Sequence, residues 1–253
     1  MPEPGAIPKG TQPEGARNEQ EASRQVREMF TRIAPRYDLL NHLLSGQMDR
    51  LWRARAAREL KPVLDRPDAL VLDLCCGTGD LAFSLARKAK ARIVGADFSH
   101  TMLVYARDKA ANVSEWSAVR FFEADALRLP LADGSFDLVT TAFGFRNLAN
   151  YEDGLRELFR ILKPGGNLAI LEFTEPVPGF LGDAYRFYTR RVLPTIGGLI
   201  SGDKEAYAYL PKSVKRFLLP DELSALMMSV GYQRVRCRLM TLGSVALHIA
   251  ARP

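Results

Sequence analysis

A doubly wound α/β fold, with a mostly parallel sheet of about seven strands, is predicted by two features of this 253-residue sequence. From Ala69 onward, short apolar runs alternate with amphipathic runs of helical length, the pattern of repeated strand–helix units. Near the end, two strand-like runs, "YQRVRCRLM" and "SVALHIAAR", are separated only by "TLG", which predicts an antiparallel hairpin at the sheet edge.

In chain order, residues 1–18 lie in a polar, Pro/Gly-rich stretch that predicts a disordered tail and has no signal-peptide pattern. Residues 19–62 read as an N-terminal helical cap. Glu19 to Arg32 is a helix with Val26, Met29, Phe30 and Ile33 at helical spacing; "APRYDLLNHLLS" is broken by Pro35; a further helix from about Asp49 to Leu60 stops before Pro62. Residues 63–253 form the main domain. Its strands are "ALVLDL", "RIVGAD", "VRFFEAD", "FDLVTTAF" and "LAILEFT", with helices at about 79–88, 99–110 and 151–162. An insert at 174–219 interrupts the rhythm, and its length predicts a lid or binding segment.

Composition narrows the setting. A hydrophobic content of 47% supports a sizeable core, and no apolar run is long enough for a membrane span. Three cysteines make neither a disulfide framework nor a zinc spacing, so a cytosolic protein without a bound metal is expected. The net charge of +6 is uneven: Pro176 to Leu218 carries seven basic and three acidic residues, and Gly231 onward carries four arginines and no acid. A basic surface, an anionic lipid face and nucleic acid are all compatible with that balance.

The stretch "VLDLCCGTGDLA" is a strand, a glycine loop and a helix start. Gly77, Thr78, Gly79 and Ala82 satisfy a loose nucleotide-binding pattern, and Asp97 ends the next strand where an acid can hold ribose hydroxyls. Taken alone, the loop fits NAD or S-adenosylmethionine. Three neighbours decide for the latter. Asp73, inside the first strand, can bind a cationic amino group or hold the loop, but would repel a pyrophosphate. Asp80 adds negative charge at the helix start. Asp125 and Ala126 follow the third strand, placed to meet an adenine edge.

At these residues the sequence resembles the class I S-adenosylmethionine-dependent methyltransferases, which are Rossmann-like. The resemblance implies that Asp97 takes the ribose, Asp125 with Ala126 the adenine, and Asp73 with Gly77, Thr78 and Gly79 the methionine end. A narrower resemblance is carried by "VREMFTRIAPRYDLLNHLLSGQMDRLWR", "AFGFRNL" and "YAYLPKSVKRF…LMMSVGY…GSVALH". These look like the C-methyltransferases of menaquinone and ubiquinone biosynthesis. Ala142 stands where members often carry serine, and "FLLPDEL" departs from their usual pattern.

That resemblance implies methylation of a ring carbon of a polyprenylated hydroquinone: demethylmenaquinol to menaquinol, or alternatively a 2-methoxy-6-polyprenyl-benzoquinol precursor of ubiquinone. An RNA or other small-molecule methyltransferase is the remoter alternative, and no nucleic-acid module is visible. "TTAFGFRNL" ends the fourth strand, where a doubly wound sheet faces its ligand. Arg146 is the expected catalytic residue, its charge favouring phenolate, with a salt bridge fixing the following helix as the plainer reading. Tyr37, Asp38 and Asn41 are expected on a cap over the site. His42 and His100 are expected at the surface or on the cap, and His248 in an edge strand. Within the insert, "FLGDAYRFYTRRVLPTIGGLI" places aromatic rings beside arginines, which suits a prenyl tail and contact with the anionic inner face of the membrane.

Overall fold

The computed structural model describes residues 9–87, 89–176, 179, 182 and 204–253. The aromatic and basic stretch of the insert, 180–200, lies outside the described residues except for Gly182.

Seven strands form one sheet in the order β3-β2-β1-β4-β5-β7-β6. They are β1 (Leu70–Leu74), β2 (Arg92–Asp97), β3 (Arg120–Glu123), β4 (Phe136–Ala142), β5 (Leu162–Phe173), β6 (Gln233–Met240) and β7 (Val245–Ala251). The first five pair in parallel; β7 pairs antiparallel to both β5 and β6. The strand order reverses between β1 and β4, and at such a switch point the carboxyl ends leave a crevice for a ligand.

Alternate residues of the central strands face opposite layers. Val71, Leu138, Ala169 and Leu171 meet α3 (Met48–Glu59), α5 (Asp80–Ala86) and α6 (His100–Ala111) on one face. Leu72, Val139, Leu168 and Ile170 meet α7 (Tyr151–Ile161) and α9 (Pro220–Val230) on the other. On α7, Leu155, Leu158 and Ile161 are fully buried at helical spacing, each stabilising the fold by roughly 1.5–3 kcal/mol. Asn150 starts this helix by accepting the Asp153 amide at 3.1 Å. Gly231, in the left-handed region at φ 115°, ends α9.

The hairpin forms, but the edge belongs to β6 alone. Its Arg234, Arg236 and Arg238 stand exposed, and such charges discourage pairing with another chain. β7 is an interior strand, so His248 is buried and its Nε2 lies 2.9 Å from the Pro220 carbonyl. The expectation of an edge-strand histidine is corrected accordingly.

The N-terminal helices α1 (Glu19–Ile33) and α2 (Tyr37–Leu44), joined by a 3-10 turn at Ala34–Arg36, precede α3 and a short α4 (Lys61–Leu64). The chain ahead of them is also placed. Thr11 N donates to the Leu148 carbonyl and Tyr151 N to that of Lys9, both at 2.7 Å. Residues 9–11 are therefore a bound strap, where composition predicted a disordered tail; backbone pairing secures a stretch with few apolar side chains. The strap packs beside α8 (Lys204–Arg216), where Thr11 meets Tyr209.

Candidate active site

One cavity opens at the carboxyl ends of β1 to β4, enclosing about 680 Å³ with the solvent at its mouth included. Gly77, Asp97, Asp125 and Ala126, four of the residues expected to hold the cofactor, line it. So do Phe30 and Tyr37 of the N-terminal helices and Phe143, Gly144 and Asn147 after β4. Its wall contains two carboxylates and, among the described residues, no lysine, arginine or histidine.

Asp97 is 6% exposed and accepts from Gly77 N at 2.8 Å and Ser99 N at 2.9 Å. Burial pushes its carboxyl up to about 6 against those hydrogen bonds. A buried carboxylate in want of further donors suits two ribose hydroxyls. Asp125 turns one oxygen to Leu127 N at 2.9 Å. Gly77 takes φ 55°, and Gly79, at φ 88°, starts α5. A Cβ at Gly79 would lie 2.8 Å from the Phe83 ring, so the loop needs glycine there for space as well as conformation.

Four expected site residues lie behind this wall. Asp73 is fully buried, accepting from Thr140 Oγ1 at 3.0 Å and Ala82 N at 2.9 Å, and burial raises its carboxyl to about 7. It thus clamps β1 to β4 and α5, which is the loop-holding part expected of it, and it is not among the residues that line the cavity. Thr78 donates from Oγ1 to Asp38 and accepts from Lys109 Nζ at 3.2 Å. Gly79 acts through backbone geometry. Arg146, 5% exposed, is not among the lining residues, with Nη1 2.8 Å from Glu172 Oε1 and Nε 3.3 Å from Ser213 Oγ, although its charge reaches Tyr37 in the cavity wall. Nη1 also donates to the Phe143 carbonyl.

Asp80 likewise differs from its expected part as a free negative charge. Lys109 Nζ lies 2.7 Å from it and Arg53 Nη2 3.4 Å, which neutralises it. Lys109 also reaches Asp38 at 2.9 Å. His42, on the cap as expected, holds Asp49 at 2.7 Å. His42, Asp49 and Asp80 come within 4.8 Å of one another, but Arg53 occupies both acids. The network fastens α2 to α3, α5 and α6 at the rim of the cavity.

The backbone turns sharply where the strands end. Cys75 at φ 53° and Phe143 at φ 59° are non-glycine residues in the left-handed region, the kind of strain that clusters at ligand sites. A Cβ on Gly144 would fall 2.4 Å from Cys75 Cβ. Cys75 lines the cavity, but burial, reinforced by Asp97, drives its thiol well above the ordinary range. That is the opposite of an activated nucleophile.

Sequence reasoning missed Glu172, Tyr209 and Thr11. An acid inside the apolar run "LAILEFT" was the available signal for Glu172. Nothing local marks the other two, because their contacts span |i−j| of 198 and 62 residues.

A Rossmann-like fold whose switch-point cavity offers a glycine loop, two acids and no cation defines an S-adenosylmethionine-dependent methyltransferase: the cofactor is a sulfonium cation, whereas a pyrophosphate would demand donors and positive charge. Over residues 17–252 the chain matches the model of the ubiE/COQ5 methyltransferase family. It is 52% identical over 226 residues to the demethylmenaquinone methyltransferase of Thermus thermophilus, covering 89% of this chain and 100% of that one. It is 42% identical over 237 residues to the ubiquinone/menaquinone biosynthesis C-methyltransferase of Pseudomonas fluorescens, covering 93% and 91% respectively. The fold is shared with a SAM-dependent methyltransferase from Thermotoga maritima at a TM-score of 0.63 and 22% identity, over 89% of this chain and 99% of that one. The chain belongs to the ubiE/COQ5 methyltransferase family.

Proposed function

We propose that this enzyme methylates a ring carbon of a polyprenylated hydroquinone, demethylmenaquinol above others. The observation that carries this reading is the composition of one continuous cavity. Its wall holds Asp97 and Asp125 together with the aromatic residues Phe30, Tyr37 and Phe143 and, among the described residues, a single amide, Asn147; Tyr37 stands over the glycine loop, its ring 3.8 Å from where a Cβ on Gly77 would lie. Flat aromatic walls suit a planar ring. The high thiol pKa of Cys75 argues against a covalent route through sulfur. A nucleic-acid acceptor would ask for cations at the mouth.

When bound, S-adenosylmethionine supplies an electrophilic methyl group. In this reading Asp97 holds the ribose hydroxyls, Asp125 with Ala126 the adenine, and Gly77 admits the cofactor against bare backbone. Phe143 and Tyr37 hold the acceptor ring so that its nucleophilic carbon meets the methyl in line. In this reading the phenolic proton passes to water first, which makes the ring carbon nucleophilic; once that carbon carries the methyl group, its ring proton leaves to water and the phenolate is reprotonated, so one proton is released overall and the aromatic quinol is restored. Arg146, paired with Glu172, shapes the turn that presents Phe143 and Asn147 and acts through it. The polar clasp from Asp38 and His42 keeps α2 closed over the ring, excluding water from the transfer.

The benzoquinol precursor of ubiquinone is the second reading, favoured by the dual pathway named for the Pseudomonas relative. The Thermus relative, nearer in identity, is named for demethylmenaquinone alone. Transfer of labelled methyl to reduced demethylmenaquinol and to a reduced benzoquinol precursor, each in detergent, tests both. Transfer to the naphthoquinol is expected; transfer only to the benzoquinol selects the second reading, and transfer to neither refutes both.

Contact with an anionic membrane surface belongs to the same proposal. Among the described residues no helix is long and apolar enough to cross a membrane. The support is the prenylated acceptor together with the arginine–aromatic sequence of the insert. Co-sedimentation with vesicles that does not depend on anionic lipid refutes this part.

A further inference from the structure

The turn after β4 carries two polar side chains, and one of them lines the cavity. Arg146 pairs with the buried Glu172, while Asn147 stands in the cavity wall. We propose that Asn147 donates a hydrogen bond from Nδ2 to a ring oxygen of the methyl acceptor, and that Tyr209, backed by Thr11, is the positioning residue that fixes the amide for this. The proposal rests on the quinol reading for the identity of that oxygen.

The geometry assigns each proton. Tyr209 Oη lies 3.0 Å from Asn147 Oδ1 and 2.8 Å from Thr11 Oγ1. A phenol has one proton to give. Given to Oδ1, it obliges the Thr11 hydroxyl to donate to Tyr209, so the chain of donors runs from Thr11 through Tyr209 to Asn147. Burial raises the Tyr209 pKa, opposed by the Thr11 hydrogen bond, and so keeps the phenol protonated as a donor. With Oδ1 engaged, the amide's free group is its NH2, and among the described residues no acceptor meets it.

The N-terminal strap holds the far end of this chain. Thr11 is pinned by its backbone bond to Leu148, the residue after Asn147, and is only 7% exposed. Gly10 passes so close to the 148–151 segment that a Cβ on it would fall 1.9 Å from the Ala149 carbonyl oxygen. Thr11 and Tyr209 on α8 therefore meet from parts of the chain about 200 residues apart in sequence, and Tyr209 carries that contact on to the Asn147 amide. A fixed neutral donor favours the charge that appears on a quinol oxygen when its proton is lost, the step that makes the ring carbon nucleophilic, and needs no reorganisation at that moment.

The test uses the full chain, Tyr209→Phe, Asn147→Ala, the double variant, and Thr11→Val. Asn147→Ala is expected to lower kcat by about 100-fold, the loss typical of one oxyanion donor, with S-adenosylmethionine affinity within about twofold. Tyr209→Phe is expected to lower kcat by about 10-fold with little change in KM for the quinol, and Thr11→Val by less. The double variant should be no slower than Asn147→Ala alone, because Tyr209 acts through that amide. Multiplied losses overturn the proposal. Independently of turnover, the Asn147 side-chain NH2 signals, identified by their absence in Asn147→Ala, should shift in Tyr209→Phe. Unchanged signals overturn the positioning role. If wild type binds cofactor but methylates no quinol, the quinol reading and the oxygen contact fall together, and these signals still decide whether Tyr209 fixes the amide.

Discussion

Replacing Glu172 by alanine tests whether Arg146 is held by a buried pair. Glu172 is 1% exposed and accepts three N–H groups: Arg146 Nη1 at 2.8 Å, Arg146 N at 3.2 Å and Phe173 N at 2.7 Å. Removing the carboxylate leaves a guanidinium that is itself 5% exposed, with only the Phe143 carbonyl and Ser213 Oγ as neutral acceptors. Breaking a buried pair by deleting one partner costs about 3–5 kcal/mol, against about 0–1 kcal/mol for an exposed pair. For a chain of this length each kcal/mol moves Tm by about 2–4 °C, so a fall of about 6–20 °C is expected in thermal unfolding followed by circular dichroism. Glu172→Gln, which keeps one acceptor oxygen and the volume, should fall less. The pair Arg146→Met with Glu172→Leu should be more stable than Glu172→Ala, because no charge is then left buried. If Glu172→Ala melts within about 2 °C of wild type, the cation is solvated and the buried-pair account is wrong.

Three further outcomes follow from the same geometry. Burial pushes Asp97 up to about 6 in the free protein; if it takes the cofactor hydroxyls as proposed, it must be ionised to do so and binding expels a proton. Affinity for S-adenosylmethionine should therefore fall about tenfold from pH 7 to pH 5 and level off above pH 7 in calorimetric titrations, whereas a flat profile would remove Asp97 from the ribose site. Gly144→Ala puts a methyl 2.4 Å from Cys75 Cβ, and should cost about 1–3 kcal/mol in urea unfolding while weakening cofactor binding through the displaced loop. Lys109→Met removes the ammonium shared by Asp38, Thr78 and Asp80, so limited proteolysis should cut within 37–47 severalfold faster than in wild type.

The fold was legible because its signals are local and repeated. "ALVLDL" and "RIVGAD" announce strands by composition, and their spacing leaves room only for crossover helices. Parts of the site were legible for the same reason: Gly77, Asp97 and Asp125 stand at strand ends that the sheet topology gathers. The remainder depends on which way a side chain turns, and sequence spacing does not carry that. Asp73 and Asp97 are both acids on adjacent strands, but Asp73 sits within β1 and meets Thr140, while Asp97 ends β2 and faces the cavity. Arg146 looked outward on position alone, and Glu172 across the β4–β5 pairing turns it inward. The strap was invisible because "PKGTQPEG" has no periodicity, and its order comes from backbone bonds to 148–151.

The distribution of charge also bears on turnover. The chain is basic overall at +6, but three cations near the site are paired with acids outside the cavity lining: Arg146 with Glu172, Arg53 with Asp49 and Asp80, and Lys109 with Asp38 and Asp80; Arg27 lies over the Phe98 ring. Among the described residues that line the cavity, Asp97 and Asp125 are the charged ones. In a partly desolvated site such carboxylates attract a sulfonium more strongly than they would in water. Methyl transfer turns that sulfonium into a neutral thioether, so the attraction weakens on the cofactor at the moment the reaction is complete. In the proposed arrangement the two acids that draw the charged cofactor in thus hold the spent one less tightly, and the proposed hydrogen bonds to its ribose and adenine remain as the ties to be broken before the next cycle.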